Sequence, residues 1–180
     1  MFVLGIDPGL SRCGYGAVRK EGGALRAVAG GVVRTDTALA LPDRLRLVHR
    51  ELRALVDELA PDAVVVERVL FQTNARTAMA VGQAAGVALL VAADAGLPVA
   101  QYSANEVKMA VVGYGAASKD QVQRMVGAVL GLAEPPRPPD VADALALAIC
   151  HLGASALRRR LEHGGAGQER AEARAVGARP

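Results

Sequence analysis

Residues 2–9 read Phe2-Val3-Leu4-Gly5-Ile6-Asp7-Pro8-Gly9, an apolar run that ends at a carboxylate and a turn. Such a run is typical of a buried strand, and a second one, Ala63-Val64-Val65-Val66, ends in the same way at Glu67. A carboxylate at a buried strand end is costly unless it takes up a proton or meets a cation. The two runs therefore indicate a divalent-metal site.

Two further acids, Asp140 and Asp143, stand at the start of an Ala/Leu-rich segment. Residues three apart on a helix share a face, so both carboxylates can contact one ion. A structural explanation is equally available, because an Asp at a helix start caps free amides and a second one there favours the helix dipole. The pair by itself leaves both explanations open.

The periodicity of the chain predicts an α/β fold. Three extended segments separated by Gly-rich turns indicate an antiparallel meander, and later strands alternate with amphipathic helices. The expected architecture is a mixed five-stranded sheet, three antiparallel strands then parallel additions, flanked by helices. If strands one and four are adjacent, Asp7 and Glu67 are neighbours. The predicted strands are 2–8, 13–19, 25–34, 63–67 and 98–101, and the predicted helices are 42–60, 74–95, 103–110, 118–130 and 140–160. Capping boxes that begin at Ser103 and at Ser118 mark the starts of the third and fourth helices.

The length and composition fit one globular domain. The 180 residues are 52% hydrophobic and 22% charged, which is enough for one core over residues 1–161. Residues 162–180 are rich in Gly and Arg and are expected to be a disordered basic tail. Cys13 and Cys150 have no metal-site or disulfide spacing, so they are expected to be small buried residues in a reducing compartment.

No segment resembles a signal peptide. The apolar stretch 75–93 is interrupted by Gln83 and is short for a bilayer, so a buried helix is the better prediction. We therefore expect a soluble, cytoplasmic protein.

Two of the few lysines, Lys108 and Lys119, flank a glycine-bearing loop at 111–117. A compact ammonium group reaches a single phosphate oxygen, so this pair can contact a phosphate. Solvated surface lysines are the plainer alternative, and the two residues alone do not decide between them.

Six spaced motifs narrow the assignment. In order they are Gly5-Ile6-Asp7-Pro8-Gly9, Val66-Glu67, Gly82-Gln83-Ala84-Ala85-Gly86, Val107-Lys108 with Val111-Val112-Gly113, Lys119-Asp120-Gln121-Val122, and Asp140-Val141-Ala142-Asp143-Ala144-Leu145-Ala146. A strand-one Asp, a strand-four Glu and a late helix with two acids resemble the ribonuclease H-like superfamily of metal-dependent nucleases. The whole set resembles the RuvC family of bacterial Holliday junction resolvases, over residues 2 to about 155.

The resemblance implies an endonuclease of DNA recombination and repair, a homodimer that binds a four-way DNA junction and nicks two strands of like polarity symmetrically. It also implies a Mg²⁺ cofactor, with two ions per active site and Mn²⁺ as a substitute, and contact with the branch-migration helicase complex of RuvA and RuvB. Carried over by position, the catalytic and metal-binding acids are Asp7, Glu67, Asp140 and Asp143, and the DNA-binding basic residues are Lys108 and Lys119.

The implied chemistry suits these side chains. Two cations about 3.5 to 4 Å apart can activate a water on one side of a phosphodiester and stabilise the leaving oxygen on the other. Asp7, on the most central strand, is expected to bridge both ions, and water rather than a side chain is the expected nucleophile. Hard carboxylate oxygens suit Mg²⁺ or Mn²⁺.

One position departs from the family pattern. An aromatic residue expected just beyond the strand-four Glu is Leu70 here, and the next residue is Phe71. We predict that Phe71 is a DNA wedge, with Leu70, Tyr114 and Arg76 as further candidate DNA contacts. Residues 78–91 are predicted to form a dimer face, because Gly82 and Gly86 within them permit close helix approach.

Three other functions stay open at this point. The strand-Asp-turn-Gly pattern also resembles the phosphate loop of actin-like ATPases, although those need two such domains around a nucleotide. A non-catalytic junction-binding protein and an RNA-processing nuclease of the ribonuclease H-like superfamily are the other two alternatives.

Overall fold

The computed structural model describes residues 1–69 and 75–176, except for the side chains of Arg76 and of residues 158–176. All ten predicted elements are present, and their bounds agree with the predictions to within one or two residues, apart from the end of the last helix. The elements are β1 (Phe2–Asp7), β2 (Arg12–Glu21), β3 (Ala24–Arg34), α1 (Leu41–Leu59), β4 (Ala63–Glu67), α2 (Ala75–Asp94), β5 (Val99–Tyr102), α3 (Ala104–Val112), α4 (Lys119–Leu130) and α5 (Pro139–Val176).

The five strands form one mixed sheet in the order β3-β2-β1-β4-β5. The β1–β2 and β2–β3 pairs are antiparallel, whereas the β1–β4 and β4–β5 pairs are parallel. The predicted architecture is therefore confirmed, and β1 and β4 are adjacent at its centre.

The two faces of the sheet bury separate cores. Leu4 belongs to the core beneath α1 and α2, while Val3 and Val65 belong to the core beneath α3, α4 and α5. Side chains alternate between the faces of a strand, so Asp7 and Glu67 lie on the same face as Val3 and Val65. The two strand-end acids therefore point toward the side of the sheet covered by α5.

Glycines in β1 and β2 let α5 lie unusually close to the sheet. A methyl group at Gly5 would overlap the carbonyl oxygen of Ala144, and one at Gly14 would overlap the carbonyl oxygen of Asp140. Only a residue without Cβ allows this approach of two backbones. The contact sets the first turns of α5 beside the end of β1.

Helix α2 is less buried than predicted. Its buried residues lie on one side and include Ala84, Ala88 and Val91, whereas Met79 and Leu90 are 67% and 52% exposed. The prediction of a buried helix is wrong for the single chain because only one face packs on the sheet and α1. By length and composition, α2 and α5 are both apolar enough to cross a membrane, with 28% and 67% of their apolar windows buried in the protein.

Helix α5 continues beyond its predicted end near residue 160 and runs to Val176. Residues 168–176 consist of Gln, Glu, Arg, Ala and Val, most of which are strong helix formers, and this local preference outweighs the Gly-rich stretch before them. The division into a domain at 1–161 and a tail at 162–180 stays a prediction.

Replacing Gly5→Ala should destabilise the fold, because the added methyl group meets backbone that cannot rotate away. We expect a loss of about 1 to 3 kcal/mol in the free energy of unfolding, measured by urea titration. Gly153→Ala is the matched control: it lies within α5 with nothing within 4 Å of a Cβ. It should stabilise the protein by up to about 1 kcal/mol. A Gly5→Ala protein as stable as the wild type would contradict the close contact.

Candidate active site

The carboxylates of Asp7 and Glu67 meet where two adjacent strands end. Asp7 is the last residue of β1 and Glu67 the last of β4, and these parallel strands are paired with Ile6 opposite Val66. Their neighbourhood, predicted from strand order alone, is confirmed. A cavity of about 350 Å³ opens at this end of the sheet, and both acids line it together with Asp143.

Two of these acids, Asp7 and Glu67, are buried in a place that disfavours their charged forms. Burial, reinforced by the charges of Glu67 and Asp143, raises the pKa of Asp7 to about 8. Burial also raises the pKa of Glu67, against the effect of a hydrogen bond with Asp7. In the metal-free protein, the raised pKa of Asp7 favours a proton on this residue, which Asp7 can donate to Glu67 in their hydrogen bond. A proton shared in this way offsets negative charge that a bound cation would also offset.

Two lysines face the same cavity. Ser118 caps α4 through the predicted capping box with Gln121, which makes Lys119 the first residue of the helix. Its ammonium lies 3.3 Å from a carboxylate oxygen of Asp143, whose charge raises the pKa of Lys119. Lys108, on α3, also lines the cavity. The lysines offset part of the negative charge of the three acids and present cations to an incoming phosphate.

Asp140 has a different environment from the other three acids. Its two carboxylate oxygens accept hydrogen bonds from Arg12, at 2.6 Å from Nη2 and 3.3 Å from Nε. Arg12 lowers the pKa of Asp140, and Asp140 does not line the cavity. The structure thus places Asp143 with Asp7 and Glu67, and pairs Asp140 with a cation of the protein.

The carboxylate oxygens around the cavity are of the chemical type that binds divalent metals. Among the side chains that the structure describes, no three His, Cys, Asp or Glu residues are arranged as ligands of one ion. The three acids of the cavity nevertheless supply hard oxygens at a place where their mutual repulsion needs a positive charge. Asp7, Glu67 and Asp143 are therefore the residues that could hold a metal ion here, in place of the shared proton.

The predicted DNA contacts are only partly described. Tyr114 lies in the α3–α4 loop with 61% of its surface exposed. Leu70 and Phe71 lie outside the described residues, as does the side chain of Arg76.

Sequence reasoning missed Arg12 as a partner of Asp140. The two residues are 128 positions apart, so no local spacing connects them. One sequence feature could have indicated a role for Arg12. It is a cation at the start of a strand, directly after a turn that begins with an acid, in Asp7-Pro8-Gly9-Leu10-Ser11-Arg12.

A mixed sheet in this order, with acids gathered at the ends of its two central strands, defines the protein as a nuclease of the ribonuclease H-like fold. Residues 3–151 match the family model described as crossover junction endodeoxyribonuclease RuvC. The chain belongs to the RuvC family. The predicted fold, family and enzyme class are confirmed, and the actin-like ATPase alternative is removed.

Relatives match over nearly the whole chain. Crossover junction endodeoxyribonuclease RuvC of Salinispora arenicola is 54% identical over 162 residues, covering 89% of this chain and 93% of the relative. The same enzyme of Syntrophomonas wolfei is 52% identical, covering 90% and 94%. The structure of Thermus thermophilus RuvC in complex with a Holliday junction substrate is 38% identical, covers 86% of this chain and 94% of that one, and has a TM-score of 0.82.

Replacing Asp7→Asn should stabilise the protein when metal is chelated. Folding raises the pKa of Asp7 from 3.8 to about 8, so between these values the folded chain holds a proton that the unfolded chain has lost. The free energy of unfolding therefore falls as the pH rises through this window. In EDTA at about pH 8.5, we expect the variant to be more stable than the wild type by about 1 to 3 kcal/mol in urea titrations, with the gap closing toward pH 5.

Two comparisons make this measurement specific. Asp57→Asn removes an exposed carboxylate of α1 and should change stability by less than about 1 kcal/mol at any pH. Added Mg²⁺ should stabilise the wild type and not the Asp7→Asn variant. If the wild type were the more stable protein in EDTA at high pH, the acids of the cavity would not repel one another.

Proposed function

We propose that this protein resolves four-way DNA junctions by metal-dependent hydrolysis, cutting two strands in paired symmetric nicks. The observation that carries the proposal is the cavity at the end of the sheet, where Asp7, Glu67 and Asp143 face Lys108 and Lys119. A cavity of this kind offers oxygens for cations and ammonium groups for a phosphodiester. The 38% identity to a resolvase structure that contains a Holliday junction substrate supports the choice of DNA.

Nucleases of this family are metal-dependent. We take the metal to be Mg²⁺, with Mn²⁺ able to substitute, because all candidate ligands are carboxylate oxygens. When bound, two such ions would activate a water and stabilise the departing 3′ oxygen of the cut strand.

The protein residues have separate tasks in this reaction. Asp7 and Glu67 hold the cations at the centre of the sheet, and Asp143 closes the site from α5. Lys119 keeps Asp143 in place through their ion pair and, with Lys108, orients the scissile phosphate. Burial of the acids excludes bulk water, which strengthens each of these charge interactions.

Further DNA contacts belong to the proposal. Tyr114 is exposed in the loop between α3 and α4, and this loop lies between Lys108 and Lys119 in the sequence. If the two lysines bind a phosphate near the junction, the Tyr114 ring can stack on a nearby base. Phe71 remains the predicted wedge, with Leu70 and Arg76 as neighbouring DNA contacts. Asp140 is included among the metal-binding acids by family position, although Arg12 holds it in the DNA-free protein.

We also propose that the active protein is a homodimer that pairs through α2. Met79, Gly82, Gly86 and Leu90 follow one another at helical spacing on the exposed side of this helix, and open space surrounds both glycines. A two-fold contact along an apolar stripe would bring two active sites to one junction.

We further assign the protein to the cytoplasm, with the branch-migration helicase complex of RuvA and RuvB as its partner.

The catalytic proposal is tested on a synthetic four-way DNA junction. With Mg²⁺ we expect symmetric nicks in two strands of like polarity, with none in EDTA. Asp7→Asn should lower the cleavage rate by at least about 100-fold, because a metal ligand is lost, while junction binding is retained. Denaturing gels of end-labelled strands measure cleavage, and gel shifts in EDTA measure binding.

Asp57→Asn is the control for this experiment and should cleave like the wild type. Equal cleavage of linear duplex or of an RNA/DNA hybrid would contradict junction specificity and favour an RNA-processing nuclease. Junction binding without cleavage in either metal would favour the non-catalytic alternative.

The dimer is tested by Gly86→Glu, which places a carboxylate on the exposed stripe of α2. Nothing lies within 4 Å of a Cβ at this position, so the subunit itself should stay folded. We expect the dimer dissociation constant to rise by at least about tenfold in analytical ultracentrifugation, because the charge would be buried in the interface. Gly153→Glu makes the same change at another open helical glycine and should dimerise normally. An unchanged dimer in Gly86→Glu would exclude α2 as the interface.

A further inference from the structure

The ion pair between Arg12 and Asp140 uses both oxygens of the acid. Nη2 of Arg12 donates to Oδ2 at 2.6 Å and Nε donates to Oδ1 at 3.3 Å, which is the two-point geometry that guanidinium groups form with carboxylates. The Asp140 side chain is 21% exposed and that of Arg12 is 40% exposed. Asp140 is thus sheltered, while its partner is open to solvent.

Asp140 lies next to the cavity acids without sharing their cavity. Gly14 touches the backbone of Asp140 and is the cross-strand partner of Asp7. Asp140 is also one helical turn from Asp143 on α5, and Arg12 holds its carboxylate outside the cavity. Asp140 is therefore a neighbour of the cavity acids whose carboxylate faces a different partner.

While Arg12 holds it, Asp140 is a poor metal ligand. Both of its oxygens accept hydrogen bonds, and the guanidinium charge repels a cation that approaches the same oxygens. A metal ion can gain this carboxylate only if Arg12 finds another anion.

A DNA phosphate offers the same two-oxygen geometry to Arg12. The end of the sheet where Arg12 lies is rich in positive charge: Arg34 is its cross-strand partner, and Arg44 donates hydrogen bonds to Ser11 and Thr35 beside the turn. This basic rim, formed by Arg12, Arg34 and Arg44, attracts a phosphate backbone. A phosphate bound there competes directly with Asp140 for the guanidinium group.

We propose that Arg12 is a switch between substrate and metal. In the DNA-free protein it holds Asp140 away from the metal; when junction DNA binds, a backbone phosphate takes Arg12, and the released Asp140 completes the metal site with Asp7, Glu67 and Asp143. Because such coupling is reciprocal, DNA and metal each strengthen the binding of the other. The inference rests on the proposed function and adds to it an order of events, in which a full metal site forms only on substrate.

The DNA side of the switch is tested without metal, where no cleavage occurs. In EDTA, Arg12→Gln should weaken junction binding and reduce the slope of log affinity against log salt by about one, because one phosphate contact is lost. Asp140→Asn should strengthen junction binding by about two- to fivefold, because it frees Arg12 from an exposed ion pair. The strengthening should vanish in the double variant Arg12→Gln/Asp140→Asn. An equal gain with and without Arg12 would show simple charge removal and overturn the proposal.

The metal side is tested without DNA, by titrating Mn²⁺ into the protein and following free Mn²⁺ by electron paramagnetic resonance. Arg12→Gln should bind Mn²⁺ about two- to fivefold more tightly than the wild type, since Asp140 is released. In the Asp140→Asn background the same change should have no effect. Arg53→Gln breaks a comparable ion pair with Asp57 on α1 and should leave Mn²⁺ affinity unchanged. Wild-type affinity in Arg12→Gln would contradict the switch.

The two proposals fail in distinguishable ways. Suppose that the wild type cleaves junctions, but that Asp140→Asn tightens junction binding equally without Arg12, or that Arg12→Gln tightens Mn²⁺ binding equally without Asp140. Only the switch would then be overturned. Wild-type protein that fails to cleave junctions would overturn the proposed function, while the Mn²⁺ titrations would still report whether Arg12 controls Asp140.

Discussion

The close contact of α5 with β1 and β2 is the constraint on which the site depends. Asp143 of α5 is far in sequence from Asp7, and it reaches the same cavity because Gly5, Gly14 and Gly16 let a helix rest directly on strand backbone. A side chain at any of these positions would push the helix away and separate Asp143 from the other two acids. Packing and function thus share one requirement, the absence of a Cβ at these glycines.

The gathered acids oppose folding in the absence of a cation. A carboxylate whose pKa is raised to about 8 by burial and by neighbouring acids represents a cost that the surrounding core must offset. The fully buried valines of β4 and the apolar helix α5 supply that compensation on either side of the site. Under the proposed function, the same repulsion that weakens the metal-free fold favours the binding of a cation at this site.

Much of this organisation was accessible from the amino-acid sequence. Alternation and apolar runs predicted all five strands, and the capping boxes at Ser103 and Ser118 located α3 and α4 closely. These features are local, so short stretches of chain carry the signal. The burial of α2 was overestimated, because an apolar composition cannot tell a core contact from an exposed apolar face, although the spacing of Gly82 and Gly86 did predict a dimer face there. The length of α5 was also missed, since a Gly-rich stretch resembles a terminus.

The sequence by itself determined the candidate residues for the chemistry: acids at two buried strand ends and on a late helix, with two lysines around a loop. It could not rank the late pair, because Asp140 and Asp143 are equivalent by spacing. Only the tertiary structure separated them, by directing Asp143 into the cavity beside Lys119 and setting Asp140 against Arg12. The physical reason is that an ion pair joins side chains distant in sequence, and its partner is chosen by how strands and helix pack.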